Sequence, residues 1–316
     1  MDIACIGEQL IDFLPGSEEG SYIRKAGGAP ANVAIAAVRS GVTAGFCGKV
    51  GADEFGLFLQ QVLRDNGVVN LSPKLIETAT TTLAFVHLDE DGERTFTFFR
   101  KPGADMFLTV QDVKDSGLVD ARIVHAGSCS LSKGSTVEAT RYAIRSAKEE
   151  GRLVSFDVNY RDMLWDGDRE AARTAVQEIL PLVDFLKISE EEVDFLGMNS
   201  PEDLRNLKTG IPLIVLTKGE KGAACLWQGE IIEAEGLVAD CVDATGAGDA
   251  FWGSFLATLI REGVRSVADL DRQLIRKAAC FGNIAGWLCV QKKGAIESIP
   301  ALAAVEEKYS ELSSGK

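Results

Sequence analysis

Short apolar, β-branched runs alternate with segments whose apolar residues recur every three or four positions, and this alternation limits the available folds more than any other feature. The runs "IACIG", "AGFCGKVG", "RIVHAGS", "RLVSFDVN", "DFLKIS" and "PLIVLTKG" read as strands buried on both faces. Between several of them, "ANVAIAAVRSG", "DEFGLFLQQVLRDNG", "TVEATRYAIRSAKEEG" and "EAARTAVQEILPLV" read as helices, several of which stop at Gly. Strands and helices in alternation predict an α/β fold, a central mostly parallel sheet flanked by helices. Ligands of such sheets sit at the carboxyl ends of the strands.

Two stretches leave this rhythm. "TTLAFVHLDEDGERTFTFFR" alternates like two strands around a turn at Asp89 to Gly92, a hairpin with no helix attached. The polar, Gly-containing piece from Phe13 to Lys25 ends in the strand-like "SYIRKA". Together they predict a small β-sheet lid formed by about 13–27 and 81–105. With no internal repeat, linker or second core pattern, 1–316 reads as one domain carrying that lid.

Charge narrows the partners. A formal net charge of −14 disfavours a nucleic-acid or anionic-membrane surface, either of which needs a basic footprint. An anionic ligand would then need local cations or a metal. Seven cysteines, none spaced CxxC and most inside apolar runs, read as buried reduced thiols rather than zinc ligands or a disulfide framework. The opening "MDIACIGEQLIDF" enters a strand pattern without a signal core, so a cytoplasmic location is expected. His87 and His125 lie inside strand patterns and are expected in lid or core positions.

Chemistry concentrates in two glycine-containing stretches. In "DATGAGDAFWGSFLATLI", Gly246, Ala247 and Gly248 precede an apolar helix, whose free N–H groups and dipole make an anion pocket. Asp249 beside that pocket reads either as a helix cap or as the proton acceptor for a nucleophile attacking a bound phosphoryl group. In "AGGAPANVAIAAVRSG", Gly27 and Gly28 open a tight turn, Pro30 suits a helix start and Asn32 falls on the first turn. With Asp12, read as the end of the first strand, this offers an acceptor and an amide suited to sugar hydroxyls.

"GGAPANVAIAAVRSG" and "DATGAGDAF", far apart and in this order, resemble the two signature motifs of the ribokinase (PfkB) family of carbohydrate kinases. The likeness continues through "GKVGADEFG", "GERTFTFFRKPGADMFL", "FDVNYRDMLW", "LKISEEEVDFLG" and "KKGAIESIP", in the order of the fructokinase branch. Neither GxxxxGK[ST] nor GxGxxG occurs, which disfavours a P-loop NTPase and a dinucleotide-binding oxidoreductase.

The resemblance implies a ribokinase-like fold and assigns roles by position. Asp249 matches the catalytic base, and the backbone of Gly246, Ala247 and Gly248 the anion hole. Asp243 matches a residue that helps hold a monovalent cation such as K⁺, with Ala244 where many relatives carry Thr. Asp12, Gly28 and Asn32 match sugar contacts, Arg161 an arginine near sugar or phosphate, and Phe96, Phe98 and Arg100 share one face of a lid strand. The motif Asn-x-x-Glu is here Ser189 and Glu192, which implies Mg²⁺ held by Glu192 through water. For ATP, Thr217, Lys218, Gly219 and Gly222 match a loop near ribose and phosphates, and Asn283 a position near the adenine.

The expected activity is therefore ATP-dependent phosphorylation of D-fructose at O6. The alternatives are a 2-keto-3-deoxygluconate kinase, for which Lys25, Arg100 and Arg161 are candidate cations, a nucleoside kinase, and a non-catalytic sugar-binding regulator. A homodimer through the lid is expected from the apolar "TFTFF" run.

Overall fold

The computed structural model describes residues 1–18, 20–88, 94–207 and 210–314. The turn expected at Asp89 to Gly92 and the side chains of His87 and Phe96 lie outside the described residues.

Nine strands form the main sheet, in the order Glu230–Ala234, Ala223–Trp227, Leu213–Thr217, Phe185–Ser189, Leu153–Asp157, Ile123–Gly127, Ile3–Ile6, Ala44–Cys47 and Val69–Asn70. From Leu213–Thr217 to Val69–Asn70 all neighbours run parallel, and the two strands at the other edge are antiparallel. The central strands, such as "IACI", are buried at every position because helices cover both faces, which is why they read as continuous apolar runs.

On one face, the helix Ala247–Arg261 packs between Ala29–Arg39 and Arg272–Cys289. It is buried without a break from Ala250 to Ile260, as a helix enclosed on all sides must be. Gly253 sets how closely its first neighbour approaches: a Cβ there would collide with Ala36 Cβ and lie 2.8 Å from Val33 O. Removing that one side chain brings the N-terminal turns of the two helices together.

The second sheet has the order Tyr22–Gly27, Leu10–Pro15, Leu83–Leu88, Arg94–Phe99. The pairings Leu83↔Phe99 and Ala84↔Phe98 are those of an antiparallel hairpin, and Leu10–Pro15 joins it in parallel through Ile11↔Leu83. This corrects the placement of Asp12. The first strand ends at Ile6, the chain turns over Gly7 to Gln9, and Asp12 belongs to the second sheet. The break is easily missed, because only Gly7, Glu8 and Gln9 separate two strands that are both largely apolar.

Candidate active site

A cleft of about 840 Å³ opens at the carboxyl ends of the parallel strands, between the main sheet and the second sheet. That size suits a small ligand enclosed on most sides. Asp12, Phe98 and Leu10 line it from the second sheet, and Gly28 and Asn32 from the turn and helix that follow that sheet's first strand pair. Arg161, Lys187, Glu192, Thr217, Gly246 and Asp249 line it from the main-sheet side.

The helix start at one end of the cleft is an open backbone turn. Gly246 is the residue before the helix, with φ 80°, a left-handed conformation costly for any side chain. A Cβ there would also stand 2.8 Å from Ala295 Cβ. The amides of Gly246 and Gly248 have no protein acceptor among the described residues, whereas Ala247 turns its N–H back to Ala244 O at 3.2 Å. Gly246 and Gly248 line the cleft, and Ala247 does not. Two backbone donors are therefore left unspent at the cleft, the glycine amides, because the Ala247 amide closes the turn that presents them.

Asp249 stands in the first turn of this helix without capping it. Its Oδ2 instead accepts a hydrogen bond from Asn32 Nδ2 at 2.8 Å. Burial pushes its carboxyl up to about 6, with Asp157 adding to the shift and Asn32, Lys187 and Arg161 opposing it. A proton acceptor placed in this pH range changes state near neutrality. Asp12 faces the same cleft, raised to about 7 by burial and by the charges of Asp249 and Asp243, against the pull of Arg161.

The other expected sugar contacts divide. Gly28, Asn32 and Phe98 line the cleft, and Asn32 Oδ1 is a buried acceptor with no protein partner among the described residues. Arg161 lines it too, its guanidinium donating to Tyr160 O at 2.9 Å. Arg100 is not among the lining residues. It is 8% exposed, pairs with Asp105 at 2.7 Å and donates to Ser132 Oγ at 3.0 Å, bracing the root of the second sheet. Lys25 is likewise spent on Glu297 at 2.8 Å.

Toward the far end, Thr217, Lys218 and Gly219 line the cleft, with Lys218 paired to Glu233 at 2.8 Å. Gly222 and Asn283 do not line it. Both N–H groups of the Asn283 amide go to Ala234 O and Glu235 O, each at 3.0 Å, tying its helix to the sheet edge. Glu192 accepts from Ser189 N at 2.9 Å and from Tyr160 N at 2.7 Å, so each oxygen already has a backbone donor. Asp243, buried, accepts from Thr245 N at 2.8 Å and Gly294 N at 2.9 Å, fastening the anion turn to the segment that follows Arg272–Cys289. Among the described residues no group of three or more His, Cys, Asp or Glu can hold a metal ion by itself. The carboxylates present suit an ion carried in on phosphates and met through water.

The model of the pfkB family of carbohydrate kinases matches residues 1–302. The chain belongs to that family. It is 39% identical to "Fructokinase-2" of Oryza sativa subsp. japonica, over 98% of this chain and 94% of the relative. Its fold is similar to that of fructokinase with bound ATP from Xylella fastidiosa, with a TM-score of 0.89 and 34% identity over 99% of each chain. Fructokinase from Vibrio cholerae O395, in a fructose-, ADP- and calcium-bound form, superposes with a TM-score of 0.83 at 33% identity, over 97% of this chain and 98% of that one.

Within this carbohydrate kinase, three groups at or beneath the cleft escaped the reading of the sequence. Glu8 is 5% exposed, lines the cleft, and has one oxygen on Ala29 N at 3.2 Å and the other buried without a partner. Burial raises its carboxyl to about 7. Asp157 and Lys187 form a buried pair at 2.7 Å beneath the anion turn. The available signal was a charge interrupting an apolar strand, in "SFDVN" and "FLKIS". Charges are seldom buried without a partner, so two on neighbouring strands call for each other. His125 is a core residue as expected, held near 3 by burial and the Lys187 charge, with Nδ1 3.0 Å from Ser155 Oγ.

Proposed function

We propose that this carbohydrate kinase transfers the γ-phosphoryl group of ATP to the 6-hydroxyl of D-fructose. The observation that carries the reading is the 2.8 Å contact of Asn32 with Asp249, which aims a carboxylate of raised pKa at the cleft beside two unspent glycine amides. Fructokinases similar to this chain support the reading, one crystallised with ATP and one with fructose, ADP and calcium.

In this reading Asp12, Gly28 and Asn32 hold the sugar hydroxyls, and Phe98 in the second sheet closes over the ring as a lid. Arg161 balances charge where sugar and phosphate meet. The 6-hydroxyl oxygen attacks the γ-phosphorus in line, its proton passes to Asp249, and the Gly246 and Gly248 amides receive the migrating group. Asp249 is far too weak a base to ionise an alcohol in advance, so proton transfer accompanies bond formation. Thr217, Lys218 and Gly219 take the nucleotide end of the cleft. Mg²⁺ on the ATP phosphates would neutralise their charge, and Glu192 is the residue that would meet it through water. Asp243 is the carboxylate through which K⁺ would act on the anion turn.

A keto-acid sugar needs a cation for its carboxylate. Of the three candidates, Lys25 and Arg100 are paired within the protein and only Arg161 lines the cleft, which favours a neutral hexose. The intact base and glycine amides favour a catalyst over a sugar-binding regulator. Initial rates with D-fructose, 2-keto-3-deoxygluconate and nucleosides, each with ATP and Mg²⁺ and with or without K⁺, test the assignment. Turnover of the keto-acid or a nucleoside in preference to fructose would overturn it.

Two further readings go with this one. A homodimer through the second sheet is supported by its exposed Tyr22, Ile23 and Phe99, and light scattering on the purified chain tests it. A cytoplasmic location is supported by the demand for ATP; no helix of the described residues is long and apolar enough to cross a membrane. Cell fractionation tests that.

A further inference from the structure

Lys187 is a charged residue in the middle of the buried strand Phe185–Ser189, between Leu186 and Ile188, both fully buried. Its ammonium donates to Asp157 Oδ2 at 2.7 Å. Among the described residues that is its one acceptor, so two of its three N–H groups are unspent. The residue is 6% exposed and lines the cleft. Its Nζ lies 3.4 Å from where a Cβ on Gly248 would stand, directly under the turn whose amides face the cleft. The other oxygen of Asp157 is buried with no partner.

A lysine needed only to neutralise Asp157 would have no reason to lie against the anion turn with donors to spare. A buried ion pair of that kind contributes little by itself and is often replaceable by apolar residues. A desolvated ammonium aimed at a site for transferred phosphate instead acts where charge develops, without reorganising at the moment of reaction.

Resting on the sugar-kinase reading above, we propose that Lys187 is a catalytic residue that donates to a non-bridging oxygen of the migrating phosphoryl group, and that Asp157 is the positioning residue that holds it there. As the bond from the sugar oxygen to phosphorus forms, the bond from phosphorus to the β,γ-bridging oxygen breaks and ADP leaves with that electron pair. The alcohol proton goes to Asp249. Lys187 keeps its own proton throughout and serves as a fixed positive charge.

The test uses Lys187→Met and the double variant Lys187→Met/Asp157→Asn, which removes both buried charges and so leaves none uncompensated. Thermal melts establish that each is folded. The expected result is a kcat reduced about 10²- to 10³-fold, the loss typical of one transition-state donor, with the KM for D-fructose within about threefold of the parent. Calorimetric titration of β,γ-imido-ATP and ADP gives a second readout without turnover. The preference for the triphosphate analogue over ADP should shrink about tenfold in both variants, the share of one charge-assisted hydrogen bond. A folded double variant with kcat within about threefold of the parent, or with the analogue preference unchanged, overturns the proposal. If Asp249→Asn is inactive while the double variant turns over normally, only the role of Lys187 fails. If the unaltered protein does not phosphorylate fructose, the sugar reading fails and the nucleotide titration still decides Lys187.

Discussion

Asn32 and Asp249 stand 217 positions apart in the chain and meet at 2.8 Å in the structure, each on the first turns of its own helix. The contact does two things. It turns the carboxylate away from capping its helix and toward the cleft, and it favours the charged form against the pull of burial. The amide is thus placed to set both the aim and the proton affinity of the proposed base.

Asp249→Asn should lower kcat at least about 10²- to 10⁴-fold, because the acceptor is lost while size and the contact with Asn32 are kept. The Kd for ATP should stay near the parent value. Steady-state kinetics and a nucleotide titration check the pair of expectations, and an unaltered kcat would reject the assignment.

The active form of Asp249 is the ionised one, so kcat/KM should fall as pH drops through about 6. Asn32→Ala removes the hydrogen bond that favours the charge. Its acidic limb should therefore move to higher pH, and its KM for sugar should rise. A pH–rate profile of the variant that superposes on the parent's would contradict this role of the amide.

Stability should change in the opposite sense to activity. A carboxyl raised from 3.8 to about 6 in the folded chain binds its proton more tightly there than when unfolded. Its favourable contribution is fully present below 3.8 and is lost as pH rises through about 6. Asp249→Asn relieves that loss, so the variant should be more stable than the parent at pH 8, by up to about 3 kcal/mol. The gain should shrink toward pH 5. Denaturant melts at the two pH values measure it, and a variant less stable than the parent at pH 8 would count against a strained carboxylate.

Gly253→Ala separates two helices where no room exists, and should destabilise by about 1–3 kcal/mol as overpacking does. Because the same contact brings Asn32 to Asp249, kcat should fall as well, although position 253 is buried in the core. Gly246→Ala meets both a positive φ and Ala295, and should reduce kcat more than it reduces Tm, since the distortion falls on the turn itself. Kinetics beside thermal melts of the two variants check the contrast.

The sequence patterns revealed the sheet because strands covered on both faces are apolar throughout, and "RIVHAGS" or "PLIVLTKG" leave little alternative. The open turn ahead of Asp249 was equally legible, since glycines before an apolar helix are a local signal, whereas the part of Asp249 as a base came from the family resemblance. The join at Gly7 to Gln9 was not legible, for three residues between two strand-like runs do not show that the chain changes sheets. Arg100 and Asn283 looked available to ligands because a sequence does not display partners. Asp105 and the carbonyls of Ala234 and Glu235 had already claimed them. Lys187 and Asp157 were hidden for the converse reason: their pairing depends on strand order, with Lys187 opposite Asp157 across adjacent parallel strands.

Asp12 rides on the second sheet and Asp249 on a helix of the main body, and both face one cleft. In the proposed reaction the acceptor touches both carboxylates at once, so it is held by the main body and by the second sheet together. The division of the site between two sheets would then act as a ruler, favouring acceptors that touch both.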